Sequence, residues 1–306
     1  PVAVPAPRVV AAAPASVSSG QSGDTVFVYL AFGPVAGSWL FGASITTLAK
    51  VGLWKGPIVV VTDSPNCIAS VQQPRAREVG LNLTIAATPR KVDVISMKLE
   101  KTHVWQHVVN AGFVNAKVAV YLDEDIIIRA PVSTFWNFLA SPQHVGSAMM
   151  MFRDNRQTTF AHGGMMVTRK SNVTDLCLKQ WESEILAEKA RGNTKDQEAL
   201  ARTACKKDGT IDLVTPGWRN GMLFDWPDPH ILKNDKKVVF LHFTNTGRMA
   251  GHQGMTKKVV QTYFSHTLGL SGNPWSVVIC PDEGVKKPMG GHLSLKAPSK
   301  KKGKKR

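Results

Sequence analysis

Acidic side chains interrupt an otherwise apolar stretch near the middle of the chain. The segment 118–128 reads VAVYLDEDIII, so Asp123, Glu124 and Asp125 have apolar residues on both sides. Successive side chains of an extended chain point to opposite faces, so Asp123 and Asp125 are expected to point together while Glu124 points away. Two half-buried carboxylates repel each other unless a cation neutralises them. Oxygen ligands of this kind are typical of Mg²⁺ and Mn²⁺, and the spacing therefore predicts a divalent-cation site.

The alternative is an acidic turn between a strand and a loop that holds no ligand. Short acidic motifs recur by chance. However, the apolar residues 118–122 before the acids and 126–128 after them are poorly suited to a solvated loop. If 118–122 is a strand of an open α/β sheet, the acids lie at its carboxyl end, where such sheets bind their ligands. The pattern therefore favours the cation site.

A histidine at the end of another apolar segment is the third candidate ligand. Residues 238–241 are Val, Val, Phe and Leu, and His242 follows them. The imidazole is therefore expected to emerge at a sheet end, where it would suit Mn²⁺ better than Mg²⁺. A histidine considered alone is more often structural, so this interpretation depends on the acidic pair.

Four segments, in order within residues 25–256, resemble the GT-A fold glycosyltransferases, especially family 8 and related nucleotide-diphospho-sugar transferases. Residues 123–125 resemble their DxD element, and HGGMMV at 162–167 resembles the N-x-G-V-M-V strand that lines the donor sugar. KDQEAL at 195–200 resembles the "DQ" helix start that reaches the sugar. HFTNTGR at 242–248 resembles the HxxGxxK element, whose histidine completes the metal shell. The likeness lies in order and spacing rather than in long identity.

The resemblance implies transfer of a sugar from a nucleoside diphosphate donor, expected to be a UDP-sugar, to a hydroxyl group of a glycan or protein, with retention of configuration. Asp123, Asp125 and His242 would bind Mn²⁺ or Mg²⁺. Asp196 or Gln197 would lie beneath the anomeric carbon, and in an inverting enzyme Asp196 would be the general base. Residues expected near the donor, the first four by position alone, are Ala31, Phe32, Gly33, Asp63, Lys98, Asp123, Glu124, His162, Gly163, Gly164, Asn220 and Arg248.

Three of these assignments have structural alternatives. Gly163 and Gly164 would let the backbone approach a ligand closely, or would form a bulge or tight turn. Asp196 and Gln197 could instead cap a helix and complement its dipole. Lys98, like its neighbour Lys101, could be a solvated residue of a helix face.

The chain departs from the family pattern at three positions, and a fourth assignment depends on a short match. Arg248 stands where the family has a lysine for the diphosphate, and a guanidinium is at least as good a phosphate partner. Asn245 replaces the glycine expected three residues after the histidine. His162 stands in place of a polar amide, and Asn220 depends on a short match of Trp-Arg-Asn to the family's "wN" segment.

The elements that would position these residues alternate between strands and helices. Short apolar runs bounded by turn residues predict strands buried on both faces, and Ser38 is the predicted N-cap of the first helix. This alternation favours βαβ units with right-handed crossovers, and thus an α/β, GT-A-like, mostly parallel sheet flanked by helices. The main predicted strands are 25–31, 58–61, 81–86, 118–122, 147–152, 164–168 and 238–241, and the main predicted helices are 38–50, 97–110, 132–139 and 175–190.

Much of the positive charge lies at the C-terminus. The formal net charge is +16, of which residues 281–306 contribute +7, from eight Lys and one Arg against one Asp and one Glu. We expect 271–306 to be an extended basic tail, disordered from Lys286, that could contact an anionic membrane. The remaining +9 suits an enzyme with a polyanionic donor rather than a specific nucleic-acid partner. Residues 1–23, rich in Pro and Ala, predict a flexible leader, which leaves 24–270 as the folded domain.

Two other functions are weighed against sugar transfer. A non-catalytic binding protein could use a degenerate transferase fold and the basic tail to hold an acidic polymer or a membrane surface. A nucleotidyltransferase would need a Gly-rich phosphate loop after the first strand, and GPVAG at 33–37 is a poor substitute.

The cysteines and two sequons bear on the compartment. Cys177 and Cys205 could pair in an oxidising compartment, although four cysteines allow three connectivities and no CxxC pair suggests zinc. Asn82 and Asn172 begin N-glycosylation triplets. No apolar run reaches the ~18 residues of a membrane span, and a chain that starts at Pro1 could have lost an upstream anchor. We expect the secretory pathway, in the Golgi lumen after loss of the anchor, with the cytoplasm as the alternative.

Overall fold

The computed structural model describes residues 24–90, 93–153, 160–214, 221–225, 232, 238–243 and 256–280. They form an α/β domain around a mixed, mostly parallel sheet of seven strands, as the alternation of strands and helices predicted. A second, three-stranded sheet lies beside it. The strands are β1 (Thr25–Leu30), β2 (Ile58–Thr62), β3 (Leu83–Ala87), β4 (Val118–Leu122), β5 (Ile126–Ile128), β6 (Met149–Arg153), β7 (Ala161–Arg169), β8 (Ile211–Val214), β9 (Leu223–Asp225) and β10 (Phe240–His242).

Helices flank the large sheet, the last of those described packs with the small sheet through Val260, and the first begins as predicted. The side chain of Ser38 accepts a hydrogen bond from the N–H of Leu40 and caps α1. The helices are α1 (Trp39–Lys50), α2 (Pro65–Cys67), α3 (Gln73–Glu78), α4 (Val94–Leu99), α5 (Val104–Asn110), α6 (Val132–Leu139), α7 (Asn172–Ala190), α8 (Asp196–Arg202), α9 (Ala204–Lys207) and α10 (Lys257–Thr262).

The strand order of the large sheet is β3-β2-β1-β4-β7-β6-β8. The chain leaves β1 toward β2 and β3 and then returns to the other side of β1 as β4, so a topological switch point lies between β1 and β4. These two strands are parallel, with Tyr29 opposite Leu122. Strand β7 is antiparallel to both β4 and β6. The beginning of β7 therefore lies beside the end of β4, at the edge where open α/β sheets bind their ligands.

The prediction of one continuous helix at 97–110 is wrong. The segment is divided into α4 and α5 by a turn at residues 100–103, where the N–H groups of Thr102 and His103 donate to the carbonyls of Leu99 and Glu100, three residues back. This tighter pattern ends the regular helix. The side chains of Glu100, Lys101 and Thr102 are all buried, and their polar contacts set the conformation of the turn.

The three-stranded sheet β5-β10-β9 was not predicted from the sequence. Strand β10 pairs antiparallel with β5 and parallel with β9. It also begins two residues later than the predicted strand and includes His242 itself. His242 lies opposite Ile126 on one side and opposite Asp225 on the other. The small sheet thus attaches the histidine directly to the segment that carries the acids.

Helix α1 fixes β5 through two buried side chains. The hydroxyl of Ser44 donates to the carbonyl of Ile126 over 2.5 Å, and the N–H of Ile128 donates to Thr47 Oγ1 over 3.1 Å. Buried backbone polar groups must find partners. Here the partners are the side chains of Ser44 and Thr47 on α1 rather than another strand. These two hydrogen bonds fix the position of β5 immediately after Asp125.

Two disulfides join distant parts of the chain. Cys177–Cys205 links α7 to α9, and Cys67–Cys280 links α2 to the segment 271–280. That segment, predicted to belong to the tail, also accepts a hydrogen bond from Trp39 N–H at the Ser276 carbonyl. Disulfides persist in oxidising surroundings, which indicates an extracytoplasmic location. Among the residues described, no helix is long and apolar enough to cross a membrane.

We expect Thr47→Val to destabilise the fold by about 1–3 kcal/mol, because it leaves the buried N–H of Ile128 without its acceptor. Urea unfolding followed by circular dichroism measures the change. The matched control is the preceding residue, since the Thr46 hydroxyl donates to the Gly42 carbonyl of its own helix. Thr46→Val should cost less than about 0.5 kcal/mol. Equal losses in the two variants would contradict the role of Thr47.

Candidate functional site

Three short elements bring Asp123, Asp125 and His242 to one place. Asp123 follows β4, and its N–H donates to the carbonyl of Gly164 over 2.7 Å. Asp125 precedes β5, and its carbonyl accepts from the N–H of Phe243. His242 Nε2 lies 2.9 Å from Asp125 Oδ1 and 3.7 Å from Asp123 Oδ2. One possible ligand atom from each of the three side chains lies within 4.8 Å of the other two.

A second layer of buried groups orients His242. Its Nδ1 lies 3.0 Å from Asp225 Oδ1 and 2.7 Å from His162 Nε2. His162 is almost fully buried, and its Nδ1 accepts from the N–H of Gly164. A carboxylate behind an imidazole typically orients the other ring nitrogen toward a metal. His162, predicted to contact a donor sugar, therefore lies behind His242, and Asp225 and His162 leave His242 Nε2 directed at the two acids.

Negative charge accumulates at this edge of the sheet. Burial and the carboxylates of Asp125 and Asp123 raise the pKa of Glu124 to about 8. Burial alone would lower the pKa of His242, but Asp125 and Asp225 raise it well above its usual range. Both shifts have the same physical cause, which is that several carboxylates share a poorly solvated volume. These carboxylates favour a positive charge at this edge, either the proton on His242 or a metal ion that displaces that proton.

The residues fit a divalent cation. Asp125 Oδ1 is buried and forms an ion pair with His242 Nε2, 2.9 Å away. A buried carboxylate is costly unless its charge is neutralised, and a cation held by both side chains would take the place of the imidazole proton. Two carboxylates and one imidazole are also a donor set that Mn²⁺ accepts. These are possible ligands, and the groups themselves do not identify an ion.

A buried ion-pair cluster adjoins the acidic pair. Lys101 Nζ lies 3.6 Å from Asp123 Oδ1 and 3.2 Å from Asp196 Oδ2, and it donates to the Gly163 carbonyl over 2.7 Å. Lys98 Nζ lies 2.8 Å from Asp196 Oδ1. Burial would raise the pKa of Asp196, but Lys101 and Lys98 lower it to about 2. Asp196 is therefore ionised and held by two lysines.

The two glycines of β7 differ in how much space surrounds them. A Cβ atom on Gly164 would lie 2.7 Å from His162 Cε1, 2.9 Å from Asp123 Oδ2 and 2.9 Å from His242 Cε1. A Cβ atom on Gly163 would lie 3.2 Å from the side chain of Gln197. Gly164 thus allows the acid and the two histidines to meet, whereas Gly163 faces the start of α8.

Two of the residues assigned by position to a nucleoside, Gly33 and Asp63, are hydrogen-bonded to each other in the structure. The N–H of Gly33 donates to Asp63 Oδ1 over 2.8 Å, and the hydroxyl of Thr62 donates to the Ala31 carbonyl over 2.6 Å. Ala31 and Phe32 are buried. These contacts join the ends of β1 and β2 beside the switch point, and they define a structural role for Asp63.

Two of the predicted site residues, Asn220 and Arg248, lie outside the residues that the structure describes.

Two residues that the structure places around the acids and His242 were not predicted. Asp225 was missed, although it follows the short apolar segment 222–224 in the same way that Asp123 follows β4. Tyr121, whose hydroxyl donates to Asp123, was also missed. The period of two that pairs Asp123 with Asp125 places Tyr121 on the same face.

Comparison with known proteins leaves the chemistry of this site to be judged from its residues. No protein-family model and no curated protein sequence matches the chain.

We expect Gly164→Ala to cost about 1–3 kcal/mol in the free energy of unfolding, because the added methyl group must displace packed side chains. Urea unfolding measures this cost. Gly163→Ala is the matched control, since the neighbouring side chain of Gln197 can move, and its cost should be smaller. A Gly164→Ala protein as stable as Gly163→Ala would show that the packing around Gly164 is not tight.

The lowered pKa of Asp196 predicts how the stability of the fold changes with pH. Its folded pKa of about 2 lies below the ordinary value of 3.8, so its ionised form stabilises the fold above about pH 4, and this contribution is lost as the pH falls toward 2. The stability difference between wild type and Asp196→Asn should therefore shrink by about 1 kcal/mol from pH 6 to pH 3. Urea unfolding at each pH measures it.

The control for this experiment is Asp24→Asn, which removes the carboxylate that pairs with Lys117 at 2.7 Å on the exposed surface. Exposed ion pairs contribute little to stability, so the corresponding difference should stay nearly constant. If the Asp196 difference is equally constant, the two lysines do not stabilise its charge.

Proposed function

We propose that this chain is a metal-dependent glycosyltransferase that moves a sugar from a nucleoside diphosphate donor, with a UDP-sugar expected, to a hydroxyl acceptor on a glycan or protein. The observation that carries the proposal is the convergence of Asp123, Asp125 and His242 at the ligand-binding edge of an α/β sheet, beside the Lys98–Lys101–Asp196 cluster. The order of motifs that resembles the GT-A transferases agrees with it.

The cation would be held by Asp123, Asp125 and His242. Bound there as Mn²⁺ or Mg²⁺, it would supply Lewis-acid stabilisation of charge on the leaving diphosphate. Lys101 holds Asp123 and the Gly163 carbonyl in place, and Asp225 with His162 directs His242 Nε2 toward the acids. The protein groups thus arrange a preorganised electrostatic site before a donor enters.

The state of Asp196 favours one of its two possible roles. A carboxylate with a pKa of about 2 is a weak base at neutral pH, and general-base catalysis is most efficient when the pKa lies near the working pH. A permanently ionised Asp196 is better suited to stabilising positive charge on an oxocarbenium-like sugar. This supports a retaining reaction, with Gln197 placed beside Gly163 to contact the same sugar.

The two disulfides bear on the compartment in which this reaction would take place. Because they indicate oxidising, extracytoplasmic surroundings, we propose that the enzyme acts in the lumen of the secretory pathway, in the Golgi.

The decisive experiment measures UDP binding with and without Mn²⁺ by isothermal titration calorimetry. Asp125→Asn should weaken Mn²⁺-dependent binding by at least about 10–100-fold, since even residues outside the ligand shell contribute that much. Asp212→Asn is the control, because Asp212 on β8 pairs with His144 at 2.6 Å and is not among the candidate ligands. A screen of UDP- and GDP-sugars for Mn²⁺-stimulated hydrolysis then identifies the donor.

Unchanged UDP binding in Asp125→Asn would overturn the metal-dependent mechanism. It would favour a non-catalytic protein that holds an acidic polymer or a membrane surface.

A further inference from the structure

A second group of potential metal ligands lies on the turn between α4 and α5. Glu100 Oε2 is 2.6 Å from His107 Nε2 and 3.5 Å from His103 Nδ1. One ligand atom from each of the three side chains lies within 4.8 Å of the other two. The group shares no residue with the cluster around His242, and no step of the proposed sugar transfer uses it.

The local fold explains why these three residues meet. The tighter turn at 100–103 places residues 100 and 103 above one another, and residues 103 and 107 are four apart at the start of α5, so all three lie on one face. Glu100 and His107 are at least nine-tenths buried, whereas about a third of the His103 side chain is exposed. Buried charged groups are kept only when they are paired or bind a metal. The cluster is therefore a built feature rather than a chance meeting of surface side chains.

A carboxylate on α7 completes the arrangement. While His103 directs Nδ1 toward Glu100, its Nε2 lies 3.0 Å from Glu182 Oε1. Metal-bound histidines almost always donate their other N–H to a carboxylate, a carbonyl or water, which fixes the ring. Glu182 is placed to accept this N–H from His103. An ion pair between Glu100 and His107 alone would not require a carboxylate beside His103.

We propose that Glu100, His103 and His107 form a separate divalent-cation site suited to Zn²⁺, with Glu182 as the group that orients His103. Two imidazoles and one carboxylate are a common zinc donor set, and three protein ligands leave a fourth position for water or another ligand. The partial exposure of His103 gives solvent access to that position. Mg²⁺ and Ca²⁺ prefer oxygen ligands and fit this set less well.

Such a site would also fix the position of neighbouring residues. Lys98 and Lys101 lie on either side of Glu100 in the chain and contact Asp196, and Lys101 also contacts Asp123. A cation bound to Glu100, His103 and His107 would hold the end of α4 to the start of α5. Zinc bound there would stabilise the folded chain by binding the native state alone.

The test measures bound metal directly. Full-length wild type, His103→Asn, Glu182→Gln and His144→Asn are equilibrated with Zn²⁺ and analysed by mass spectrometry for zinc per chain, and then with Co²⁺ for visible absorption. His144 is the matched control because it forms a buried pair with Asp212 and belongs to no group of three potential ligands among the described residues.

Wild type and His144→Asn should hold one more zinc per chain than His103→Asn, and the tetrahedral Co²⁺ absorption should disappear in His103→Asn alone. Glu182→Gln should bind about 10–100-fold more weakly than wild type. Zinc should raise the melting temperature of wild type by more than that of His103→Asn.

Equal zinc content and equal Co²⁺ spectra in wild type and His103→Asn would overturn the proposal and leave an ordinary buried ion pair. If His103→Asn does not fold, Glu182→Gln and wild-type crystals soaked in Zn²⁺ decide the question. An anomalous peak bonded to Glu100, His103 and His107 supports the site, and the absence of such a peak together with unchanged affinity in Glu182→Gln refutes it.

Discussion

The need to neutralise carboxylates at one edge of the sheet shapes the centre of this fold. Asp123, Asp125 and Asp225 lie around a single imidazole, His242, in a poorly solvated volume. Charges in such a place are very costly unless they are paired. The chain pairs Asp125 and Asp225 with His242 and pairs Asp123 with Lys101, whose ammonium group contacts it although the lysine side chain is buried. The surrounding loops and strand ends must keep these partners in reach of one another.

Local patterns in the sequence could predict the large sheet and the acids at its edge. Strands buried on both faces appear as short apolar runs, and the period of two places Asp123 and Asp125 on one face. Both signals depend only on neighbouring residues. The strand end before His242 could be recognised in the same way, so the three candidate ligands were predictable one by one. That the three residues would lie together around one cation was expected from the resemblance to the GT-A transferases.

Non-local pairing explains what the sequence did not reveal. Strands β5, β9 and β10 are three residues each, too short for a periodic pattern, and they come from distant parts of the chain. Asp225 enters the site only because β9 pairs with β10. The break in the predicted helix 97–110 is similar in kind. The turn at 100–103 contains no Gly or Pro that would mark a helix end, and the tertiary contacts of its buried polar side chains overcome the local preference for helix.

The turn between α4 and α5 shows how those contacts determine a conformation. Glu100 is held by His107, while the next residue, Lys101, is held by Asp196 and by the Gly163 carbonyl. If the turn returned to regular helix, at least one of these buried groups would lose its partner, and an uncompensated buried charge costs more than a few helical hydrogen bonds contribute. One set of partners holds Glu100 and a separate set holds Lys101, so the turn at 100–103 is constrained twice. The position of Lys101 beside Asp123 follows from that constraint rather than from helix propensity.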